Sequence, residues 1–404
     1  MNTKPIFQTF VFIGVGLLTT LILLGVKVVF EQTGPGQRLE LYGYEMLQSY
    51  LPDFASRVQM PVIVLDIGKL EGGTDEHPTP RDKLQDILQA LVKTNPKAIA
   101  LDIDFSPKDE GGWQDDRDPD FFNTCLTIKE EQRIPIFLGV ERSIESPPDA
   151  WLGLDKYKSL AVGMRFQFPN TNKVILWTRP PDSKEVIPSL SLALAQTYRE
   201  TLPAPNYLLA PMLEEINAYP SRIENLDQSE FTVAKSLVNY SMLEAIESQS
   251  LATVSPTSIY EHKENFKDKL VVIGRIRETR DLIPVIGRDK DIPGVLLQAS
   301  AVYSLVKFPL YEFTHKARIS IDILLPVFLL IFVALIRYRN RKNNDYNWHL
   351  KQWIAFIAVI ILVFVGGIIL VREAGIIWFD FLIVIIGLLI HPLLEKKIGT
   401  ILSR

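Results

Sequence analysis

The stretch KAIALDIDFS, residues 97–106, decides how the chain folds. Small and branched apolar residues occupy 98–103, interrupted and then stopped by two carboxylates, Asp102 and Asp104, before Ser106 and Pro107 end the run. An apolar run of that length, bounded by polar residues, predicts a buried strand of a parallel sheet. PVIVLDIG at 61–68 and KLVVIG at 269–274 repeat the pattern. After the first of these, Leu84, Ile87, Leu88, Leu91 and Val92 recur at helical spacing, and 121–131 reads as a second helix after KAIALDIDFS. Strand and helix therefore alternate, which predicts an α/β fold: a mainly parallel sheet with helices on both faces.

Working outward, residues 39–51 suit an amphipathic helix and 134–140 a third strand. The runs 162–168 and 174–178, separated by PNTNK, predict a β-hairpin. Helices are expected at 188–198, 255–262 and 295–306, a strand at 233–240, and a short helix at 212–217.

The apolar fraction is 47% over 404 residues, and the excess is concentrated in four segments. Residues 7–30, 319–336, 353–371 and 376–394 each approach the roughly 20 apolar residues that cross a bilayer. The first is longer than a signal-peptide core and no A-x-A-like site follows it, so it reads as an uncleaved anchor. Arg337, Arg339, Arg341, Lys342 and Lys351 crowd the link between the second and third segments, and Lys396, Lys397 and Arg404 follow the fourth. Basic loops stay on the inner side. The expected layout is an anchor at 1–30, an outer domain at 31–318, a three-helix membrane region at 319–394 and a cytoplasmic tail at 395–404.

The outer segment holds 32 Lys and Arg against 42 Asp and Glu, a net of −10, which argues against a nucleic-acid partner. A single cysteine, Cys125, excludes an internal disulfide and any Cys-rich zinc site.

HPTPRDKL, KAIALDIDFS, SLSLALA, LVNY, DKLVVIG and IPGVLLQASAV occur in this order between one apolar segment and three. In that arrangement the chain resembles the second class of CHASE domains, extracellular sensory modules associated with cyclases and histidine kinases. The resemblance implies a sensory domain outside a bacterial plasma membrane, in the periplasm or beyond it, with the signal passed to an output module, and the basic loops put both termini in the cytoplasm. About ten residues follow the fourth segment, so a stand-alone form without an output domain is expected. Gln298 stands where the family pattern usually carries a histidine.

The candidate chemistry lies at the carboxyl ends of the strands, where ligands of open α/β sheets bind. Asp66, Asp102 and Asp104 are expected there on neighbouring strands, either holding a cation or cationic ligand group or capping the turns that follow. Asp116, Asp118 and Asp120 have the alternate spacing of a calcium loop. Phe121 and Thr127 stand where the glycine and the acidic ligand belong, so the segment reads as a solvated surface loop. No phosphate-binding glycine motif and no nucleophile motif is present, and neither a cofactor, a bound metal nor an enzymatic activity is expected. Asp322 and Asp380 fall near the outer ends of apolar segments, where a carboxylate can remain hydrated.

Two functions fit. In one, the chain is a sensor or adaptor that binds a small ligand or partner outside and relays it through the membrane helices to a separate membrane or cytoplasmic signalling protein, with Arg337, Arg339, Arg341 and Lys342 as the inner contact for that partner or for anionic lipid. In the other it is a constitutive subunit of a membrane complex. A homodimer is compatible with both.

Overall fold

A computed structural model describes residues 4–31, 33–48, 50, 60–72, 78–107, 113–140, 154–164, 173–178, 186–199, 208–213, 232–252, 256–276, 282–285, 290–342 and 348–378. Helices α1 (Lys4–Glu31) and α2 (Gly34–Gln48) come first. They are followed by β1 (Val62–Asp66), α3 (Arg81–Val92), β2 (Ala98–Leu101), α4 (Asp118–Glu131), β3 (Ile136–Val140), α5 (Asp155–Lys158) and β4 (Ala161–Gly163). Next are β5 (Lys173–Thr178), β6 (Ile187–Pro188), α6 (Leu190–Tyr198), β7 (Thr232–Leu237), α7 (Leu243–Ser248) and β8 (Leu251–Ala252). Short helices α8 (Pro256–Glu261) and α9 (Lys263–Phe266) lead to β9 (Leu270–Gly274), β10 (Leu282–Ile283), β11 (Ile292–Pro293) and α10 (Gly294–Lys307). The last elements are β12 (Tyr311–Glu312), α11 (His315–Lys342), α12 (Trp348–Ala374) and β13 (Ile376–Ile377).

These elements form two compact units, one of residues 52–204 and 215–310, the other of 1–51, 205–214 and 311–404. The first is built on a six-stranded parallel sheet in the order β4-β3-β2-β9-β1-β8. Strands β1 and β2, expected side by side, are separated by β9, which pairs with both. All five residues of β9, LVVIG, are buried, and a strand with no polar position belongs where both faces and both edges are covered.

The period of two divides the strands between two cores. Val62, Val64, Ala98, Ala100, Leu270 and Val272 face α6, α7 and α10, and Ile63, Leu65, Ile99, Leu101, Val271 and Ile273 face α3 and α4. Helices cover both faces, as the alternation of strand and helix in the sequence requires. Helices expected at 121–131, 188–198, 255–262 and 295–306 are α4, α6, α8 and α10.

Space is tight at the strand ends. A Cβ added at Gly139 would stand 2.9 Å from the Ile103 carbonyl oxygen and collide with Met164 Sδ, and one at Gly274 would stand 2.7 Å from Val295 Cγ2. Because the Ile103 neighbour is backbone, Gly139→Ala is expected to destabilise the fold by about 1–3 kcal/mol. Thermal unfolding measures this, and an unchanged midpoint would contradict the packing described.

The expected hairpin does not form in the described residues. The segment Ala161–Gly163 extends the main sheet as β4, parallel to β3, with Gly139 opposite Val162. Strand β5 instead pairs antiparallel with β6 and β7 in a separate three-stranded sheet. The Pro-Asn-Thr-Asn stretch, 169–172, lies outside the described residues, as does most of the short helix expected at 212–217; Ala210–Met212 is a single 3₁₀ turn.

In the second unit α1 packs along α11 and α11 along α12. Strand β13 pairs in parallel with β12, Tyr311 opposite Ile376, so the residues expected to begin a fourth apolar helix begin as strand. The rest of that segment, from 379 and including Asp380, lies outside the described residues. Helix α11 continues past its expected end at Ile336 and takes Arg337, Arg339, Arg341 and Lys342 into the helix, leaving 343–347 as the link to α12. Among the described residues, no helix is long and apolar enough to cross a membrane.

One polar contact stands out in this unit. Lys27 of α1 and Asp322 of α11 are ion-paired, with side chains 5% and 7% exposed. Asp322 was expected to stay hydrated; instead it is buried against a lysine from the first apolar segment. The reason is mutual: either charge alone would be costly to bury, and each supplies the other's compensation.

Candidate functional site

The carboxyl ends of β1, β9 and β2 form one edge, and the three aspartates expected there are all present. Asp66, the last residue of β1, is buried, and its Oδ1 accepts from the backbone N–H of Gly68 at 2.8 Å and of Ile276 at 3.0 Å. It thereby ties the loop after β1 to the loop after β9. Asp104 Oδ1 accepts from the Ser106 N–H at 2.8 Å and from the Ser106 hydroxyl, a turn closed by its own side chain. Asp102 follows β2 directly; its N–H donates to Ile273 O at 2.7 Å, and it stands half-buried beside Gly274. Among the described residues no three His, Cys, Asp or Glu side chains are grouped to hold a metal ion.

Beside these carboxylates lies a cationic side chain that the sequence reading passed over. Arg275, one residue past β9, places Nη2 3.4 Å from Thr79 Oγ1 and 3.4 Å from Glu71 O. The edge is thus of mixed charge, with acids at the ends of β1 and β2 and a guanidinium from the strand between them.

The loops beside this edge are tied together by Arg81, 1% exposed, at the start of α3. Its Nε donates to Asp118 Oδ1 at 2.5 Å, its Nη1 to Thr79 O at 3.2 Å, and its Nη2 to Gln114 Oε1 at 3.1 Å. The guanidinium carbon lies 4.5 Å from the centre of the Phe105 ring. Gln114 in turn donates to Ser106 O at 2.6 Å, and Asp118 Oδ2 accepts from Asp115 N–H at 3.0 Å. One side chain therefore joins the segments preceding α3, following β2 and preceding α4.

Asp118 corrects the expectation of a solvated acidic loop. It is 2% exposed, and it opens α4, where a carboxylate also complements the helix dipole. The pairing rule for calcium loops rejected a metal there but gave no reason to look for a buried arginine. The available signal was Arg81 itself, a charged residue inside HPTPRDKL at the start of an amphipathic helix.

Cys125, buried on α4, packs in the same core, and burial pushes its thiol well above the ordinary range, so it behaves as an inert apolar group. Gln298 is 2% exposed on α10; its Nε2 donates to Met164 O at 2.7 Å and its Oε1 accepts from Ser191 Oγ at 2.6 Å. It bridges α10, α6 and the end of β4 inside the core. His262 is exposed on the surface beyond α8, with Nδ1 3.0 Å from Ser258 O, and His77 lies outside the described residues. The side chains of Arg337, Arg339, Arg341 and Lys342 are likewise outside them.

A parallel sheet clothed by helices on both faces, with polar loops gathered at its carboxyl edge, defines an α/β domain. A family model for the CHASE2 domain matches residues 18–337, and the chain belongs to that family of sensory domains. No curated protein and no solved structure matches the chain.

Proposed function

We propose that the chain is a membrane-embedded sensor or adaptor whose sheet unit lies outside the membrane and binds a small polar ligand at the carboxyl edge of the sheet. Binding favours one arrangement of the loops held by Asp66, Asp102, Asp104 and Arg275, and the attached helices hand the change to a cytoplasmic or membrane partner. The basic run Arg337, Arg339, Arg341 and Lys342 is the inner contact for that partner or for anionic lipid.

What carries the reading is the placement of oppositely charged groups at the ends of adjacent strands, in a family whose members are sensory. Embedding is supported by the outward faces of helices α1, α11 and α12. Leu18, Leu21, Ile22 and Val29 of α1, Leu324, Phe328 and Leu335 of α11, and Ile354, Ile361 and Leu362 of α12 are all exposed. Ranks of large apolar side chains turned outward call for an apolar surrounding.

The ligand chemistry follows from the acids: a small molecule with a cationic group beside a polar or anionic one, such as an amino acid. Thermal unfolding of the detergent-solubilised full chain across an amino-acid and polyamine panel tests it. A true ligand at one hundred times its dissociation constant should raise the midpoint by about 5–10 °C, and Asp102→Asn should abolish the rise. A panel without any shift, or a shift that survives Asp102→Asn and Asp104→Asn, would sink the assignment of this edge.

A further inference from the structure

The opposite edge of the sheet, at the amino ends of the strands, gathers cations instead. Lys97 and Lys269 immediately precede β2 and β9, and the Lys97 N–H donates to Lys269 O at 2.8 Å, so the two leave adjacent strands side by side. Lys307 is the last residue of α10 and Tyr198 the last of α6. The Lys97 ammonium lies 4.6 Å and the Lys307 ammonium 5.5 Å from the centre of the same Tyr198 ring. Lys269 is held below the ordinary lysine range, first by burial and then by the positive charge of Lys307.

Among the described residues none of the three pairs with a carboxylate. Lys97 donates to Tyr198 O at 3.1 Å and Lys269 to Met60 O, both neutral acceptors. This happens in an outer segment whose net charge is −10, where acids are plentiful. Compensation of helix carboxyl ends accounts for Lys97 at α6 and Lys307 at α10. It leaves Lys269 unexplained, and it does not require all three to converge.

Among the described residues three ammonium groups converge with no acid beside them, an arrangement suited to an anion from outside. The chain also enters the sheet at this edge, at Met60 before β1, and leaves it here, at Leu310 shortly after α10. We propose that Lys97, Lys269 and Lys307, with the Tyr198 ring, form a docking patch for anionic lipid headgroups at the membrane surface. Phosphate-bearing headgroups match the charge, and a tyrosine is at home at the water–lipid boundary. This inference rests on the membrane embedding proposed above.

The test uses the full chain in lipid nanodiscs of phosphatidylcholine, with or without phosphatidylglycerol. Amine-reactive labelling is read residue by residue by mass spectrometry, with exposed Lys156 and Lys263 as references. Phosphatidylglycerol should slow labelling of Lys97, Lys269 and Lys307 several-fold, leave the references unchanged, and lose its effect as salt rises. The variant K97Q/K269Q/K307Q should retain less phosphatidylglycerol than the wild type when lipids co-purifying with it are counted. A chain that enters both discs and labels equally in them overturns the lipid patch alone. Equal protection by inorganic phosphate in phosphatidylcholine discs assigns a free-anion site and overturns the lipid surface. A chain that fails to enter discs overturns the embedding and this inference with it.

Discussion

Arg81→Ala is expected to lower the unfolding free energy by about 3–5 kcal/mol, the range found when one partner of a buried ion pair is removed. The cause is less the lost attraction than what stays behind. Asp118, 2% exposed beside Arg81, would keep among the described residues only the Asp115 N–H and its own helix end to address its charge. Gln114 and the Thr79 carbonyl lose their donors in the same step, and Phe105 loses its stacked cation. Since whole domains are stable by only about 5–15 kcal/mol, this variant stands near the limit of folding.

Arg81→Lys separates charge from geometry. A lysine keeps the charge but has no planar fork to reach Asp118, Thr79 and Gln114 together, so a loss of about 1–3 kcal/mol is expected. Replacing both partners, as R81M/D118L, should recover part of the loss because no charge is left buried alone. Denaturant unfolding measures all three variants, and a double variant no better than R81A would show that the pair is not the source of the effect.

The second large effect is expected at Lys27 and Asp322. Lys27→Met removes the ion-pair partner of a carboxylate that is 7% exposed, and a loss of about 3–5 kcal/mol is expected for the helical unit. K27M/D322L should restore the packing of α1 on α11, since apolar replacements of buried pairs are often neutral. Engineered cysteines at outward positions can report helix register by cross-linking, because the single native cysteine is buried in the other unit. K27M should change the cross-linking pattern and the double variant should return it. An unchanged pattern in K27M would mean that the pair does not set the register.

What the sequence made legible follows from where its signals are local. Apolar runs such as 98–103 and 269–274 identify strands because burial on both faces forbids polar positions, and helical spacing over 82–92 is visible in any window of that length. Strand order is not local: nothing in LVVIG says that it divides β1 from β2, which depends on two crossovers of very different length. The expected hairpin is a related case, with 165–172 outside the described residues. Turn chemistry at 169–172 is a local propensity, whereas β4 pairs with β3, the strand before it, and β5 with β7, far along the chain. Buried ion pairs were the least visible, since Arg81 with Asp118 and Lys27 with Asp322 are 37 and 295 positions apart. Asp66, Asp102 and Asp104 were placed correctly at the carboxyl edge, yet only coordinates reveal that Asp66 and Asp104 each give an oxygen to backbone donors.

The late position of β9 in the chain governs how the protein must be made. The two strands that flank it are synthesised early, whereas their shared partner emerges about 200 residues after β1, some 10–40 s later at ordinary translation rates. Until then β1 and β2 present open backbone edges to whatever is nearby. Nucleation of this sheet is thus a long-range event with a high contact order and slow closure. Truncations that end before Leu270 should yield aggregation-prone chains in place of smaller folded domains, and a nascent chain needs protection until that single strand arrives.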